Sequence, residues 1–121
     1  PPRVLDLGDT FSPHVSLIEP AHREVGSRQY MTLSHLSSLE PLKKWELTTK
    51  NIALLQAGIP VTSLPPLYQD AVAVCHYLGI QNLWIFAACV AQDDPVDVFE
   101  TRGQMGEIVR HAHCNIEAAN A

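Results

Sequence analysis

Two short groups of polar residues follow predicted strands and have the side chains that acid–base chemistry requires. Ser34 and His35 end a short strand-like segment, and Gln92, Asp93 and Asp94 end a long apolar run. A histidine changes its protonation near neutral pH, so His35 could act as an acid or base, with Asp93 as a functional carboxylate. The alternative roles are structural: a histidine that holds its loop, and an aspartate that caps a helix.

Cysteine and histidine provide two further candidates. Cys89 lies near the end of the apolar run, and with His35 on a neighbouring strand it could form a cysteine–histidine dyad. A small thiol in an apolar run is more often inert core. His111 and His113 are potential metal ligands on one face of a predicted strand, but the sequence offers no second ligand pair, so we predict no metal site.

The apolar run over residues 83–91 is predicted to be the central strand. It is short and bounded by polar turn residues, which is typical of a strand buried on both faces. In open parallel sheets, ligands bind at the carboxyl ends of the strands. We therefore expect the segment 86–94, with Phe86, Cys89 and Gln92, to line the site.

Helix signals lie on both sides of this strand. Pro66 in a first turn and Gly79 as a stop predict a helix over 66–78. Asp94 before a proline, with Asp97 in the first turn, predicts the start of the last helix. With strands at 30–33 and 114–118, the order predicts a parallel α/β sheet with right-handed crossovers.

The remaining segments are shorter. Residues 3–7 and 15–18 predict an N-terminal hairpin or edge strands. Residues 19–29 and 36–47 are predicted to be loops, the second a long surface excursion. Thr48 or Thr49 is the predicted cap of a short helix that Gly58 ends.

Composition limits the class of protein. The chain has 121 residues, of which 46% are hydrophobic, so we expect a single domain over residues 1–121. The net charge of −5, with no basic cluster beyond Lys43 and Lys44, argues against nucleic acid as a partner. No apolar run is long enough to span a bilayer. Three cysteines indicate reduced thiols in an intracellular, cytoplasmic protein. A first residue that is Pro1 rather than methionine indicates a fragment or a trimmed chain.

Several blocks in chain order resemble the fungal heterokaryon-incompatibility (HET) domain. These are PPRVLDLG at the start, YMTLSH at 30–35, LTTKNI at 47–52, GIPVTSLPPLYQDAVAV at 58–74, LGIQNLWI…C…QDD at 78–94, and M…I…A…I…A at 105–118. The resemblance implies a filamentous fungus and a fold related to the TIR domain. The expected fold is thus a TIR- or flavodoxin-like three-layer α/β domain with a mostly parallel central sheet. The implied role is to trigger cell death when nonself is recognised.

The chain departs from the HET pattern near the expected site. A usual tryptophan–glycine pair is replaced by residues 36–38, and the usual acidic and polar residues after LWI are Phe86 and Ala87. The tryptophan after the aspartate of the last helix is Val98, and a later tyrosine is Val109. These changes predict a less polar crevice than the family pattern implies.

The glutamate often found on the last helix of HET domains falls at Thr101, with Glu100 one position away. One helical position is a rotation of about 100°, so Glu100 is expected to point elsewhere. The resemblance makes Glu100 a third catalytic candidate beside His35 and Asp93.

Two functions remain open at this point. The first is a HET-type signalling module that self-associates, or that binds or cleaves a nicotinamide dinucleotide, and needs no other cofactor. The second is a diverged small enzyme that transforms a small, largely apolar metabolite in the crevice. Both place ligand beside the catalytic candidates and the predicted binding residues, which are Ser34, Phe86, Cys89, Gln92 and Asp94.

Overall fold

A single mixed sheet organises the part of the chain that the computed structural model describes, which is residues 2–9, 12–19, 29–35 and 45–118. Its strands are β1 (Val4–Asp6), β2 (His14–Ile18), β3 (Met31–His35), β4 (Ile59–Pro60), β5 (Asn82–Ile85) and β6 (Cys114–Ala118). The order across the sheet is β4-β2-β1-β5-β3-β6. The predicted α/β class is therefore correct.

The strand directions correct one prediction. Strand β3 is parallel to both β5 and β6, as expected for strands joined by helices. The other three pairings, β1 with β2, β1 with β5 and β2 with β4, are antiparallel. The sheet is thus mixed rather than mostly parallel, because the N-terminal strands pair as a hairpin. Nor does that hairpin lie at an edge, since β1 is adjacent to the central strand and β4 covers β2.

The central strand is shorter than predicted. Strand β5 ends at Ile85, and Phe86–Cys89 forms the one-turn helix α3, in which the Val90 N–H donates to the Phe86 carbonyl. Strand β1 is antiparallel to β5, so the first residues of β1 lie beside the end of β5. Because β1 begins at Val4, it has no residue that could pair with the chain beyond Ile85. Two alanines with high helix propensity then favour a turn of helix. An unbroken apolar run could not distinguish these alternatives.

Of the two longer helices, the first begins and ends as predicted, and the second begins as predicted. They are α2 (Pro66–Leu78) and α4 (Pro95–Arg110). Gly79 ends α2 in the left-handed conformation, with φ 73°, and its N–H donates to carbonyls of the last turn. Asp94 caps α4, because its Oδ1 accepts hydrogen bonds from the N–H groups of Val96 and Asp97.

The apolar spacing of α2 predicts a buried face formed by Leu67, Ala71, Val74, Cys75 and Leu78. Ala71 and Cys75 are buried as predicted, whereas Val74 and Leu78 are exposed and Tyr68 and Val72 are buried in addition. The large ring of Tyr68 offers more apolar area than the neighbouring leucine, which favours this rotation of the helix.

The cap of the short helix α1 (Ile52–Ala57) is Asn51, not a threonine as predicted. The Asn51 side chain instead accepts from the Thr48 N–H at 2.8 Å and donates to the Glu46 carbonyl at 3.0 Å. Gly58 ends α1 with φ 102°, as predicted. The side-chain amide of Asn51 thus stabilises the turn that precedes α1.

The predicted loops at 20–28 and 36–44 lie outside the described residues. Within the described ranges, no helix is long and apolar enough to cross a membrane.

Candidate functional site

The carboxyl ends of the three parallel strands meet at one edge of the sheet. Leu33 pairs with Ile85 of β5, and the next residue, Ser34, pairs with Glu117 of β6. Ser34 and Glu117 are both exposed. His35 is the last residue of β3, in register with Ala118, and its side chain is outside the described part. This edge is where a ligand of a parallel sheet is expected.

A polar cluster on β3 and β6 lies at this edge. The Asn115 Oδ1 accepts a hydrogen bond from the Thr32 hydroxyl at 2.6 Å and another from the Ser34 hydroxyl at 3.1 Å. Thr32 is buried, whereas Ser34 is exposed. Sequence reasoning selected Ser34 but missed Asn115 and Glu117. The alternation of polar and apolar residues along β6 places Asn115 and Glu117 on one face of the sheet, and this alternation could have identified them.

Phe86 lies at the end of β5 among aromatic and cationic neighbours. Its half-buried ring makes an edge contact with Trp84, with centroids 6.2 Å apart and an interplanar angle of 71°. The Arg102 guanidinium carbon lies 5.8 Å from the Phe86 centroid, within the range of a cation–π contact. Phe86 is therefore packed between the sheet and α4, with part of its surface accessible.

Cys89 lies in the core. Its side chain is buried, and burial raises the pKa of the thiol to about 12. The Sγ lies 3.9 Å from the Leu83 carbonyl oxygen, which is a weak donor contact. A thiol with so high a pKa carries almost no thiolate at neutral pH, so this environment does not activate a nucleophile.

We expect alkylation at neutral pH to modify Cys114 rapidly and Cys89 and Cys75 only through unfolding. Cys114 is exposed, whereas burial raises the pKa of Cys75, like that of Cys89, to about 12. Time-resolved iodoacetamide labelling with peptide mass spectrometry measures the three rates. In denaturant, all three thiols should react alike. Labelling of native Cys89 as fast as Cys114 would contradict the inert-core assignment.

The loop after α3 is held by its own polar groups. The Gln92 side-chain amide donates to the Val90 carbonyl at 2.7 Å and to the Phe86 carbonyl at 3.1 Å. The Gln92 N–H donates to the Leu47 carbonyl, and the Leu47 N–H donates to the Ala87 carbonyl, both at 2.8 Å. Gln92 thus stabilises the loop and a neighbouring chain segment.

Asp93 is exposed, and its carboxylate contacts Thr49. One oxygen accepts from the Thr49 N–H at 2.9 Å and the other from the Thr49 hydroxyl at 2.7 Å. These hydrogen bonds, the side-chain one first, lower the pKa of Asp93 below its usual value. Asp93 is therefore charged at neutral pH, which suits a structural acceptor better than a general acid. Its neighbour Asp94 has the capping role already described.

Asp97 makes the principal ion pair of this region. Its Oδ2 accepts from Arg3 Nη1 and from the Ala91 N–H, each at 2.8 Å. The Arg3 and Asp97 side chains are 19% and 18% exposed, so the pair is largely shielded from water. Sequence reasoning assigned Asp97 to the helix dipole alone and could not identify a partner so distant in the chain.

The described ranges contain no group of three or more histidine, cysteine, aspartate and glutamate side chains that could hold a metal ion. His111 lies before β6, as the exposed C-cap residue of α4, and its Nε2 is 3.0 Å from the Glu107 Oε2.

A family model described as heterokaryon incompatibility protein (HET) matches residues 30–121, which include β3, the candidate edge and the last strand. The chain belongs to the HET family. This confirms the resemblance found in the sequence blocks. No curated protein and no solved structure is significantly similar to the chain.

Two adjacent positions on α4 can be compared with the HET pattern described in the sequence analysis. Thr101, where the resemblance of the sequence blocks implies a glutamate, is 2% exposed, and Glu100 beside it is exposed. Burial places Thr101 on the inner face of the helix, and one position of rotation turns Glu100 toward solvent. A neutral hydroxyl therefore occupies the inward position of this HET domain.

Proposed function

We propose that this chain is a HET-type signalling domain whose nucleotide site is degenerate. In this role, the domain is part of a fungal cytoplasmic protein that triggers cell death when nonself is recognised. The domain has a TIR-like mode of action and signals by self-association rather than by turnover of a nucleotide substrate. Membership of the HET family supports the signalling class. The observation that carries the degenerate site is the burial of neutral Thr101, the position at which the sequence resemblance places the glutamate of HET domains.

Cleavage of a glycosidic bond in a nicotinamide dinucleotide needs a carboxylate that stabilises a developing cation. The acidic residues of the loop and the first turn of α4 have other partners. Asp93 accepts from Thr49, Asp94 caps the helix, and Asp97 binds Arg3. These contacts support a domain without efficient hydrolase activity.

We expect the protein to cleave nicotinamide dinucleotide at least about 100-fold more slowly than a TIR enzyme that has its carboxylate, since loss of one stabilising group costs about that much or more. Product formation at high protein concentration, followed by chromatography, is the measurement. Rapid turnover abolished by Glu100→Gln or Glu117→Gln would contradict the proposal. Glu107→Gln, an exposed glutamate on the same helix, is the control.

A second candidate function is a small enzyme acting on a largely apolar metabolite at the same edge. One observation favours it: the Ser34 hydroxyl binds Asn115, and the Ser34–Glu117 pair lies one residue beyond the pair of Leu33 with Ile85, the residue that Phe86 follows. Polar groups beside an apolar surface are the usual composition of a small-molecule site. In this alternative, His35 supplies the acid or base.

A further inference from the structure

A pocket away from the predicted site residues suggests another binding function. Its volume is about 430 Å³, and it is lined by Trp45, Asn51, Leu54, Leu55, Ile59 and Ser63. We propose that this pocket binds a small, neutral, mostly apolar molecule and that the bound molecule stabilises the loop at the candidate site. The proposal adds a ligand and a regulatory connection that the signalling function does not include.

The apolar wall of the pocket comes from three parts of the chain. Trp45 precedes α1, Leu54 and Leu55 belong to that helix, and Ile59 begins β4. Leu55 and Ile59 are buried, but Leu54 is 64% exposed, so an apolar surface faces solvent at the rim. The volume falls within the range of small-molecule sites, about 300–1,000 Å³.

The polar groups of the pocket determine the class of ligand. Asn51 already uses its side-chain oxygen for the Thr48 N–H and its nitrogen for the Glu46 carbonyl. The Ser63 hydroxyl donates to the Pro60 carbonyl at 2.7 Å and keeps a lone pair that can accept. No charged side chain is among the described residues that line the pocket. The site therefore suits a neutral ring or chain with one hydroxyl donor and disfavours ions.

The pocket is connected to the candidate site through the segment 45–51. This segment contributes Trp45 and Asn51 to the pocket wall. Between them, Leu47 exchanges backbone hydrogen bonds with Ala87 and Gln92, and Thr49 binds Asp93. A ligand that orders the two ends of the segment also favours the backbone conformation that makes these contacts.

The test uses 2-naphthol as a neutral probe and 2-naphthalenesulfonate as its charged counterpart, with binding measured by calorimetry. We expect the wild-type chain to bind naphthol and to bind the sulfonate at least about tenfold more weakly, because no described lining residue has a positive charge that would balance the sulfonate. Equal binding of the two probes, or no binding of naphthol, would overturn the proposal.

Matched variants locate the probe. Leu54→Glu is expected to weaken naphthol binding at least about tenfold by placing a charge in the apolar wall, whereas Ala53→Glu, also exposed and one position away, leaves it unchanged. Ser63→Phe, which fills the pocket, should also weaken binding, with Thr62→Phe as its control. Circular dichroism verifies folding of each variant. Equal effects of Leu54→Glu and Ala53→Glu would exclude this pocket as the site.

The connection to the loop has its own measurement. Hydrogen exchange of the Leu47 and Gln92 N–H groups should slow when wild-type protein is saturated with naphthol, because both groups lie in the hydrogen bonds between the segment and the loop. The N–H groups in the middle of α4 serve as the reference. Binding without slower exchange at Leu47 and Gln92 would overturn the regulatory part of the proposal.

Discussion

A chain shortened to the residues of the family match, 30–121, will not fold. The deletion removes β1 and β2, and with them five core side chains that are at most 4% exposed: Val4, Leu5, Leu7, Val15 and Leu17. At about 1.5–3 kcal/mol for each buried side chain, the loss is about 10 kcal/mol, comparable with the whole stability of a domain of this size. The side of the central strand that pairs with β1 would also be left without a partner.

Circular dichroism in the near and far ultraviolet, with urea unfolding, tests this expectation on residues 1–121 and 30–121. Removal of residues 1–2 alone is the control, because it ends before the first described core residue and leaves both strands intact. The shortened chain should lack a cooperative transition and a near-ultraviolet signal. A cooperative transition in residues 30–121 would show that the N-terminal hairpin is an accessory to an independent HET unit.

Replacement of Asp97 by alanine is expected to lower the free energy of unfolding by about 2–4 kcal/mol. Breaking a buried ion pair costs about 3–5 kcal/mol, and the partial exposure of Arg3 and Asp97 reduces this. The variant also leaves the Ala91 N–H without its acceptor. Because Asp97 joins the N-terminal segment to the start of α4, its loss weakens the contact between the hairpin and the site region.

Urea unfolding of Asp97→Ala, Arg3→Ala and the double variant gives the interaction energy of the pair. Glu100→Ala, an exposed position on the same helix, should change stability by less than about 0.5 kcal/mol. Arg3 also lies 3.4 Å from the exposed Glu19, which is expected to contribute little. Additive effects of the two single variants would contradict an energetic connection between Arg3 and Asp97.

Local signals in the sequence were sufficient for the two longer helices. Helix α2 begins at Pro66 and ends before Gly79, and α4 begins at Pro95 after the cap Asp94. These boundaries are predictable because capping residues and proline affect the backbone of adjacent residues. The same kind of reasoning failed for Phe86–Cys89, where an apolar run suits a buried helix as well as a strand. It also failed for the directions of the strands, since nothing in the sequence of residues 3–7 shows that this segment pairs with β5.

Prediction of the candidate site had a similar limit. Position at a strand end selected Ser34 as a candidate, and the capping role considered for Asp94 is confirmed. Sequence reasoning missed the partners Asn115, Thr49 and Arg3. Each contacts a residue that is distant in the sequence, so only the tertiary structure brings the two together. The roles of the site residues in function remain predictions.

The position of β3 between β5 and β6 affects the order in which the chain can assemble. The hydrogen bond between Thr32 and Asn115 joins residues 83 positions apart, and strand β6 is the last element within the described residues. Contacts of such long sequence separation require closure of large loops and slow the search for the native state. During synthesis, both edges of β3 can be paired only after β6 has been made. Folding of the sheet is therefore completed only after the last strand has left the ribosome.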